Sequence, residues 1–414
     1  MFLVIERPWE SIRYLQEIPI ERVFAIVMIV MAFLASKFRV ISSPTNKWVY
    51  SLLGLHFVLA PFAFNPGWAV DQGIEYVKMV VLYLLFLTVV EDEESLKILI
   101  KAYVFSMLFY MMHSLWEYHN GRHVWRMGIS RMVGVDSTFN DPNAFGASIV
   151  LSLPFVYALL RNEFKIRLRS LYYCYFVLAL ACVVFTGSRS AFVAFIFLVM
   201  LWVLVQKGMR KLKFIAMLLP AVLLIWTVMP MEKQNRIRTL WDSEAGPKNA
   251  QESAEGRLEG FVVSWKMFKQ VPFTGVGAGG KNFIGYRMEH HIDEEGREAA
   301  LQAHNLYGEV LAEFGLLGAI LLLGLSVSIM RCCIAVKSIL KLEGESESFS
   351  FNLAGAIICT LLLLLFLGLG GHNFYRPIWL WLAAWSAVLF NMVAFRVNSM
   401  NLSSDSPLKK QLWQ

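Results

Sequence analysis

Residues 303–330 read AHNLYGEVLAEFGLLGAILLLGLSVSIM. A polar entry, Ala303-His304-Asn305, runs into a stretch that is almost wholly apolar, interrupted only by Glu309, Glu313 and scattered small polar residues. A bilayer core of about 30 Å needs about 20 mostly apolar residues in a helix, and this stretch is long enough. It predicts a transmembrane helix with a histidine at its wet end. At about 100° per residue, Gly315 lies eleven positions on and about 20° around the wheel from His304, with Gly318 nearby. The expectation is one face carrying His304 at its mouth and two glycines deeper down, where a neighbouring helix approaches closely.

The rest of the chain extends this pattern. Of 414 residues, 57% are hydrophobic and 17% charged, against about 25% charged in soluble domains. Too little polar surface is available to cover such a chain in water, so lipid is its solvent. Stretches near residues 20–36, 48–64, 73–90, 95–116, 143–160, 170–187, 190–206, 213–229, 304–330, 351–370 and 377–395 each approach spanning length. The predicted class is an all-α polytopic membrane protein of eleven or twelve helices. It forms a single membrane domain over residues 1–414, with one large polar loop at 230–303. Residues 1–19 alternate charged and apolar side chains, as in a helix lying on the interface. No cleavable signal peptide is expected, because Glu6 and Arg7 follow the first five residues at once. The five cysteines show no metal or disulfide spacing and are expected to act as packing residues.

Charge sets the orientation. The connections holding Lys37/Arg39/Lys47, Arg161/Lys165/Arg167/Arg169, Lys207/Arg210/Lys211/Lys213 and Arg331/Lys337/Lys341, with the tail bearing Arg396, Lys409 and Lys410, all fall on one side when the helices are counted. Short-loop Lys and Arg remain cytoplasmic, so this side is inside. The net charge of +7 is therefore a matter of topology, and no nucleic-acid partner is expected. Residues 65–72, 117–142, 187–189, 230–303 and 371–376 fall outside. With eleven helices the N-terminus is outside too; a twelfth would move it inside. The 230–303 insertion is large enough for a few helices on the membrane surface.

The outer segments hold the candidate chemistry. Arg189 follows Thr186-Gly187-Ser188 in a turn between two spans, where a planar guanidinium matches phosphate oxygens; contact with lipid headgroups is the alternative. Arg257 begins the amphipathic run Arg257-Leu258-Glu259-Gly260-Phe261-Val262-Val263-Ser264-Trp265, which ends before Pro272. Arg131 lies in the 117–142 connection. Asn143, in Asn140-Asp141-Pro142-Asn143, suits a helix cap or a polar contact to substrate. His372-Asn373-Phe374-Tyr375-Arg376 is a second outer His-Asn pair, so His372 and Arg376 are candidate substrate contacts. Glu309 and Glu313, i and i+4 on the side away from His304, are costly inside a membrane and call for internal hydrogen bonds or protonation. Gly275-Val276-Gly277-Ala278-Gly279-Gly280-Lys281-Asn282 nearly spells a P-loop, but Asn282 replaces the Ser/Thr that binds magnesium; it is read as a flexible turn. No metal-ligand cluster appears, and neither metal nor cofactor is expected.

His304-Asn305, nine residues and then Gly315-x-x-Gly318 resemble the pattern of the O-antigen ligase superfamily. Arg189 in Thr-Gly-Ser-Arg-Ser resembles that family's arginine between two helices. Arg257, with the later Pro-x-x-Gly-x-Gly turn, resembles its loop arginine, although Phe261 stands where ligases usually have leucine. The similarity spans roughly residues 135–330. It implies a GT-C-type glycosyltransferase of the bacterial inner membrane that takes a glycan from undecaprenyl diphosphate. The glycan passes to an acceptor hydroxyl on the periplasmic face, in a ligase that of the lipid A–core oligosaccharide. The implied catalytic residues are His304, Arg189 and Arg257, acting without metal. From their place on the outer side, Asn305, Arg131, Asn143, His372 and Arg376 are expected substrate contacts, and the protein is expected to be a monomer among membrane lipids. Polymerases of O-antigen or exopolysaccharide and protein O-oligosaccharyltransferases share the pattern, and a lipid-linked glycan transporter is the competing class.

Overall fold

The computed structural model describes the chain except residues 12–19, 35–40, 127, 138, 207, 210, 213–215, 217–225, 228, 240, 241, 243–248, 291–301 and 400–414. It is helical almost throughout. The helices are α1 (Phe2–Glu6), α2 (Pro8–Ser11), α3 (Ile20–Leu34), α4 (Asn46–Leu59), α5 (Pro66–Val89), α6 (Glu93–His119), α7 (Pro142–Arg161), α8 (Ile166–Thr186), α9 (Arg189–Val205), α10 (Met231–Arg238), α11 (Asn249–Gln270), α12 (Gly280–Glu289), α13 (Leu306–Leu342), α14 (Phe349–Leu367) and α15 (Ile378–Ser399). Ten of the eleven expected stretches coincide with helices, and most of the 213–229 stretch lies outside the described residues. Seven of the described helices are long and apolar enough to cross a membrane, namely α5, α6, α7, α8, α13, α14 and α15, while α9 is a shorter apolar helix. The all-α polytopic class holds.

The chain packs as two compact units, one of Met1–Glu21 with Ile100–Glu255 and one of Arg22–Leu99 with Gly256–Gln414. The polar loop 230–303 is thus shared out, α10 with the first unit and the Gly256–Gln270 part of α11 with α12 in the second.

In the first unit α7 packs against α8 and α9. The start of α7 is fixed by local chemistry: Asp141 Oδ1 accepts from the amides of Asn143 and Ala144, both at 2.9 Å, and Pro142 takes the first helical position. There the missing proline N–H costs nothing. The cap is therefore Asp141 and not Asn143, whose side chain points elsewhere. The 117–142 connection contains an antiparallel hairpin, His123–Arg126 against Ile129–Met132, pairing Val124 with Arg131. The N-terminal helices dock beside it. Glu10 accepts from the Ser137 amide at 2.7 Å and its hydroxyl at 3.0 Å, and Glu6 is buried with His113 Nδ1 at 3.4 Å. Residues 1–11 are therefore packed on protein, and residues 12–19 of the stretch expected on the interface lie outside the described residues.

In the second unit α13 packs against α4, α14 and α15, and α5 against α4 and α15. Trp385, wholly buried on α15, lies among the largest core side chains. Beside this bundle Val263, Met267, Val276, Phe283, Ala303 and Ala312 form a small apolar core that joins α11 and α12 to the first turns of α13. The amphipathic pattern of 257–265 is explained by this core, and the helix ends at Gln270, before Pro272.

The helix read as continuous from 303 to 330 is interrupted. Gly315 sits at φ 62° and ψ −156°, a conformation open essentially only to glycine. The expected stacking of His304 above Gly315 on one helical face is overturned on two counts: His304 precedes the helix, and the helix breaks at Gly315. Nor do the motif glycines admit a neighbouring helix. A Cβ on Gly315 would lie 2.5 Å from the Pro272 carbonyl oxygen, and one on Gly318 would strike Phe314 of the same helix at 2.3 Å. Close helix approach occurs instead at Gly324, where a Cβ would meet the Trp48 ring of α4 at 2.2 Å.

Candidate functional site

The Gly315 break frees backbone groups that a helix would have paired, and another segment takes them. The amides of Val276 and Gly277 donate to the carbonyls of Ala312 and Glu313 at 2.8 and 3.1 Å, and the Leu316 amide donates to Pro272 O at 2.8 Å. The glycine-rich run is pinned into the break and is not a free turn. Gly275 must be glycine here, since at φ 66° its Cβ would lie 2.4 Å from the Glu313 backbone. Irregular backbone at membrane depth is tolerated where protein satisfies it, and these two motifs satisfy each other.

Glu313 completes the joint. Its Oε2 accepts from the Gly279 amide at 2.7 Å and from the Tyr375 hydroxyl, while Glu309 Oε2 accepts from the Phe374 amide at 3.2 Å. The two carboxylates thus make the internal hydrogen bonds their position called for. Burial and the nearby Glu313 and Glu309 raise the Tyr375 phenol well above its ordinary value, so it donates and stays neutral.

On this scaffold stands His304. It is one of two non-glycine residues, with Arg7, at positive φ among those described, at 47°. Such strain persists only where surroundings enforce it and concentrates at functional sites. Asn305 enforces it. Its Oδ1 accepts from the amides of Tyr307 and Gly308 at 2.9 and 3.0 Å, capping α13, and its Nδ2 donates to Leu369 O at 2.8 Å. Both ends of the amide are engaged in holding the chain next to His304. The Leu306 amide adds a bond to Gly368 O at 2.8 Å.

The Gly368–His372 segment so anchored brings two further candidates to His304. The His372 ring lies 5.3 Å from the His304 ring, centroid to centroid. Arg257 reaches the same segment: a Cβ on Gly370 would sit 3.2 Å from its Nη1. Behind it, Gly260 packs on the Ala303 carbonyl, which a Cβ would approach to 2.3 Å. His304, His372 and Arg257 therefore gather around one short stretch. Arg376 lies near Glu309.

The remaining candidates lie in the first unit, around the turn after α8. Gly187 ends α8 in the left-handed conformation at φ 55°, and the Ser188 side chain caps α9 through the Ala191 amide at 3.3 Å. A helix C-terminus leaves carbonyls unpaired and carries negative partial charge. Three cations cover these carbonyls. Arg131 Nε donates to Thr186 O at 2.8 Å, Arg236 Nε to Gly187 O at 2.6 Å, and Lys233 Nζ to Phe185 O at 3.3 Å and also to Ser130 O. Arg131 Nη2 and the Ser188 hydroxyl both donate to Asn143 Oδ1 at 2.9 Å. Arg189, the first residue of α9, is nearly buried and donates to Thr239 Oγ1 at 3.1 Å.

Arg131 and Asn143 thus hold the turn that carries Arg189. Lys233 and Arg236 were not anticipated. The signal was their i,i+3 spacing in the charged helix α10, which reads equally as a solvated face. Burial first, then the positive charges of Arg131 and Arg236, lower the Lys233 amine to about 8.

Residues 174–323 match the family model described as O-antigen ligase. The chain carries a domain of the O-antigen ligase superfamily. The matched O-antigen ligase region takes in Arg189, Arg257 and the whole His304-to-Gly318 pattern, and leaves Arg131, Asn143, His372 and Arg376 outside it. No curated protein matches the chain. The apolar helices make this a multi-pass membrane protein, and the O-antigen ligase match covers residues 174–323 of it.

Proposed function

We propose that this protein is a glycosyltransferase that moves a glycan from undecaprenyl diphosphate to an acceptor hydroxyl at the periplasmic face of the inner membrane, with the lipid A–core oligosaccharide as acceptor. The observation that carries the reading is the His304 group: a strained histidine, held by the Asn305 cap on an immobilised helix break, with His372 and Arg257 gathered at the same short segment. A general base needs fixed geometry before it needs a tuned pKa, and this scaffold supplies it.

In this mechanism neutral His304 accepts the proton of the acceptor hydroxyl. The acceptor oxygen forms its bond to the anomeric carbon as the bond from that carbon to the phosphate oxygen breaks. Single displacement inverts the centre, and undecaprenyl diphosphate leaves with the electron pair. Arg257 meets the charge that develops on the leaving group, a role in which a preorganised guanidinium stabilises the transition state. Arg189 corresponds to the family's second arginine and is assigned phosphate oxygens as well. Arg131, Asn143 and Asn305 act by positioning, His372 and Arg376 by contact with sugar. No metal is required.

Purified protein in lipid nanodiscs, given lipid-linked glycan and acceptor, should yield a new glycosidic bond by mass spectrometry. His304→Ala should lower turnover by about a thousandfold or more, the upper part of the range for loss of a proton-transfer group, while the protein stays folded. Turnover near wild type in that variant would remove His304 from the chemistry. Growth of the glycan on its own lipid carrier, with acceptor unmodified, would identify a polymerase.

A further inference from the structure

The first turns of α5 are unlike the rest of that helix. Trp68, Asp71, Gln72 and Glu75 fall at i, i+3, i+4 and i+7, so a polar and aromatic stripe opens an otherwise apolar span. Across from it stand Lys281 and Gln302, and together these side chains line an open cleft of ≈ 460 Å³. That size lies within the range of about 300–1,000 Å³ common to small-ligand sites. None of these groups has a part in the mechanism above.

The floor of the cleft, Ala278-Gly279-Gly280, is built from positions where a side chain would intrude. A Cβ on Gly279 would lie 3.1 Å from Gln72 Oε1, and one on Gly280 would lie 2.8 Å from Gln302 Nε2. Absence of side chains there brings both amides to the wall. The floor is also immobilised, because the Gly279 amide is bonded to Glu313 and, at 2.9 Å, to the Tyr375 hydroxyl. The cleft therefore shares its foundation with the broken helix. It lies close to the proposed base as well: Gln302 precedes His304 by two residues, a span of at most about 7 Å of extended chain.

We propose that this cleft binds an uncharged saccharide, the terminal part of the acceptor glycan, and presents its hydroxyl to His304. The inference rests on the glycosyl-transfer reading and adds the acceptor's site to it. The chemistry of the lining selects the ligand. Among the charged lining groups Asp71 and Glu75 oppose Lys281, and Glu75 is already paired with Lys78 at 2.5 Å. Charge is thus near balance, which disfavours a phosphate or an acidic sugar. Ile74 and Ala278 are too little apolar surface for a lipid chain. Carboxylate and amide groups facing one another suit neighbouring hydroxyls, which both donate and accept. The electron-rich face of the half-exposed Trp68 ring suits the polarised C–H face of a pyranose.

The test uses the full-length protein in nanodiscs and a panel of uncharged hexose and N-acetylhexosamine oligosaccharides, with an oligogalacturonate as the acidic control. Saturation-transfer NMR and calorimetry should detect saturable binding of at least one uncharged member, at least tenfold tighter than the control. Trp68→Ala and Asp71→Asn should each weaken it tenfold or more, and Trp68→Phe should largely restore it. In transfer assays Asp71→Asn should raise KM for the acceptor and leave KM for the lipid-linked donor unaltered; a rise for the donor alone would overturn the assignment to acceptor. Binding by no member, or binding indifferent to both Trp68→Ala and Asp71→Asn, would overturn the cleft. The two readings fail differently. Transfer lost in His304→Ala but untouched by the cleft variants removes the cleft alone. Saccharide binding lost in Asp71→Asn, with no transfer by the wild type, keeps the cleft and removes the transferase.

Discussion

Two interruptions of helical structure hold the candidate residues of this protein, and they are stabilised by opposite means. After α8 the chain leaves carbonyls exposed, and side-chain cations from Arg131, Lys233 and Arg236 close over them. At Gly315 the freed carbonyls and amide are met by backbone from Pro272 to Gly277, and the nearby acidic side chains, Glu309 and Glu313, accept from backbone amides. The first arrangement gathers positive charge beside Arg189. The second keeps its carboxyl groups in hydrogen bonds and leaves His304 in a strained turn. A break sealed by side chains can be altered one bond at a time, whereas a break sealed by backbone depends on a conformation that only glycine adopts.

That difference ranks the consequences of mutation. Gly315→Ala should be the most damaging, for it combines a forbidden conformation with a Cβ 2.5 Å from a carbonyl oxygen. A loss on the order of 3 kcal/mol or more is expected, read as a lower midpoint in thermal or denaturant unfolding in detergent. A variant within about 1 kcal/mol of wild type would show that the helix can run straight through, and the contrast between the two breaks would collapse.

At the other break the losses should be smaller and graded. Arg131→Met leaves the Thr186 carbonyl and Asn143 Oδ1 without their guanidinium donors, in a place where Arg131 is 1% exposed. A buried acceptor stripped of its donor costs about 1–3 kcal/mol, and about 2 kcal/mol is expected here because Ser188 still serves Asn143. Arg131→Lys should recover part of it. Transfer activity should fall with unchanged affinity for acceptor, since the effect reaches substrate through Arg189. Full activity in Arg131→Met would break the link between cap and catalyst.

The sequence was informative about these regions to unequal degrees. Hydrophobic runs located the spans because lipid tolerates so few alternatives, and the His304-Asn305 and Gly315-x-x-Gly318 spacing pointed to the family whose model matches residues 174–323. What the glycines do was misread, since helical periodicity assumes an unbroken helix and nothing local to Gly315 announces the Pro272 segment that enters there. The same limit hid Asp141 behind Asn143 as the cap, both being good capping residues. It also hid Lys233 and Arg236, whose role depends on carbonyls some fifty residues earlier in the chain. Motifs named the candidate residues, and partners distant in sequence decide how each is held.

The smallest effect expected is also the most diagnostic of the cationic break. The Lys233 amine gives up its proton near pH 8 in the folded protein, against an ordinary value of 10.5. Below about 8 both folded and unfolded chains hold that proton, and Lys233 contributes no slope. Between 8 and 10.5 the unfolded chain binds more protons than the folded one, so stability rises with pH across that window. Physically, the charged amine is buried beside Arg131 and Arg236, and losing its proton relieves both desolvation and repulsion. Lys233→Gln keeps a donor for the carbonyls and abolishes the titration. The variant should therefore gain most over wild type below pH 8, and the advantage should shrink as pH climbs towards 10. The same series run on a Gly315 variant should show no change in this slope, because that break has no lysine to titrate. Parallel pH profiles for wild type and Lys233→Gln would mean that the three cations are not electrostatically coupled, and that the cap after α8 is held by hydrogen bonds alone.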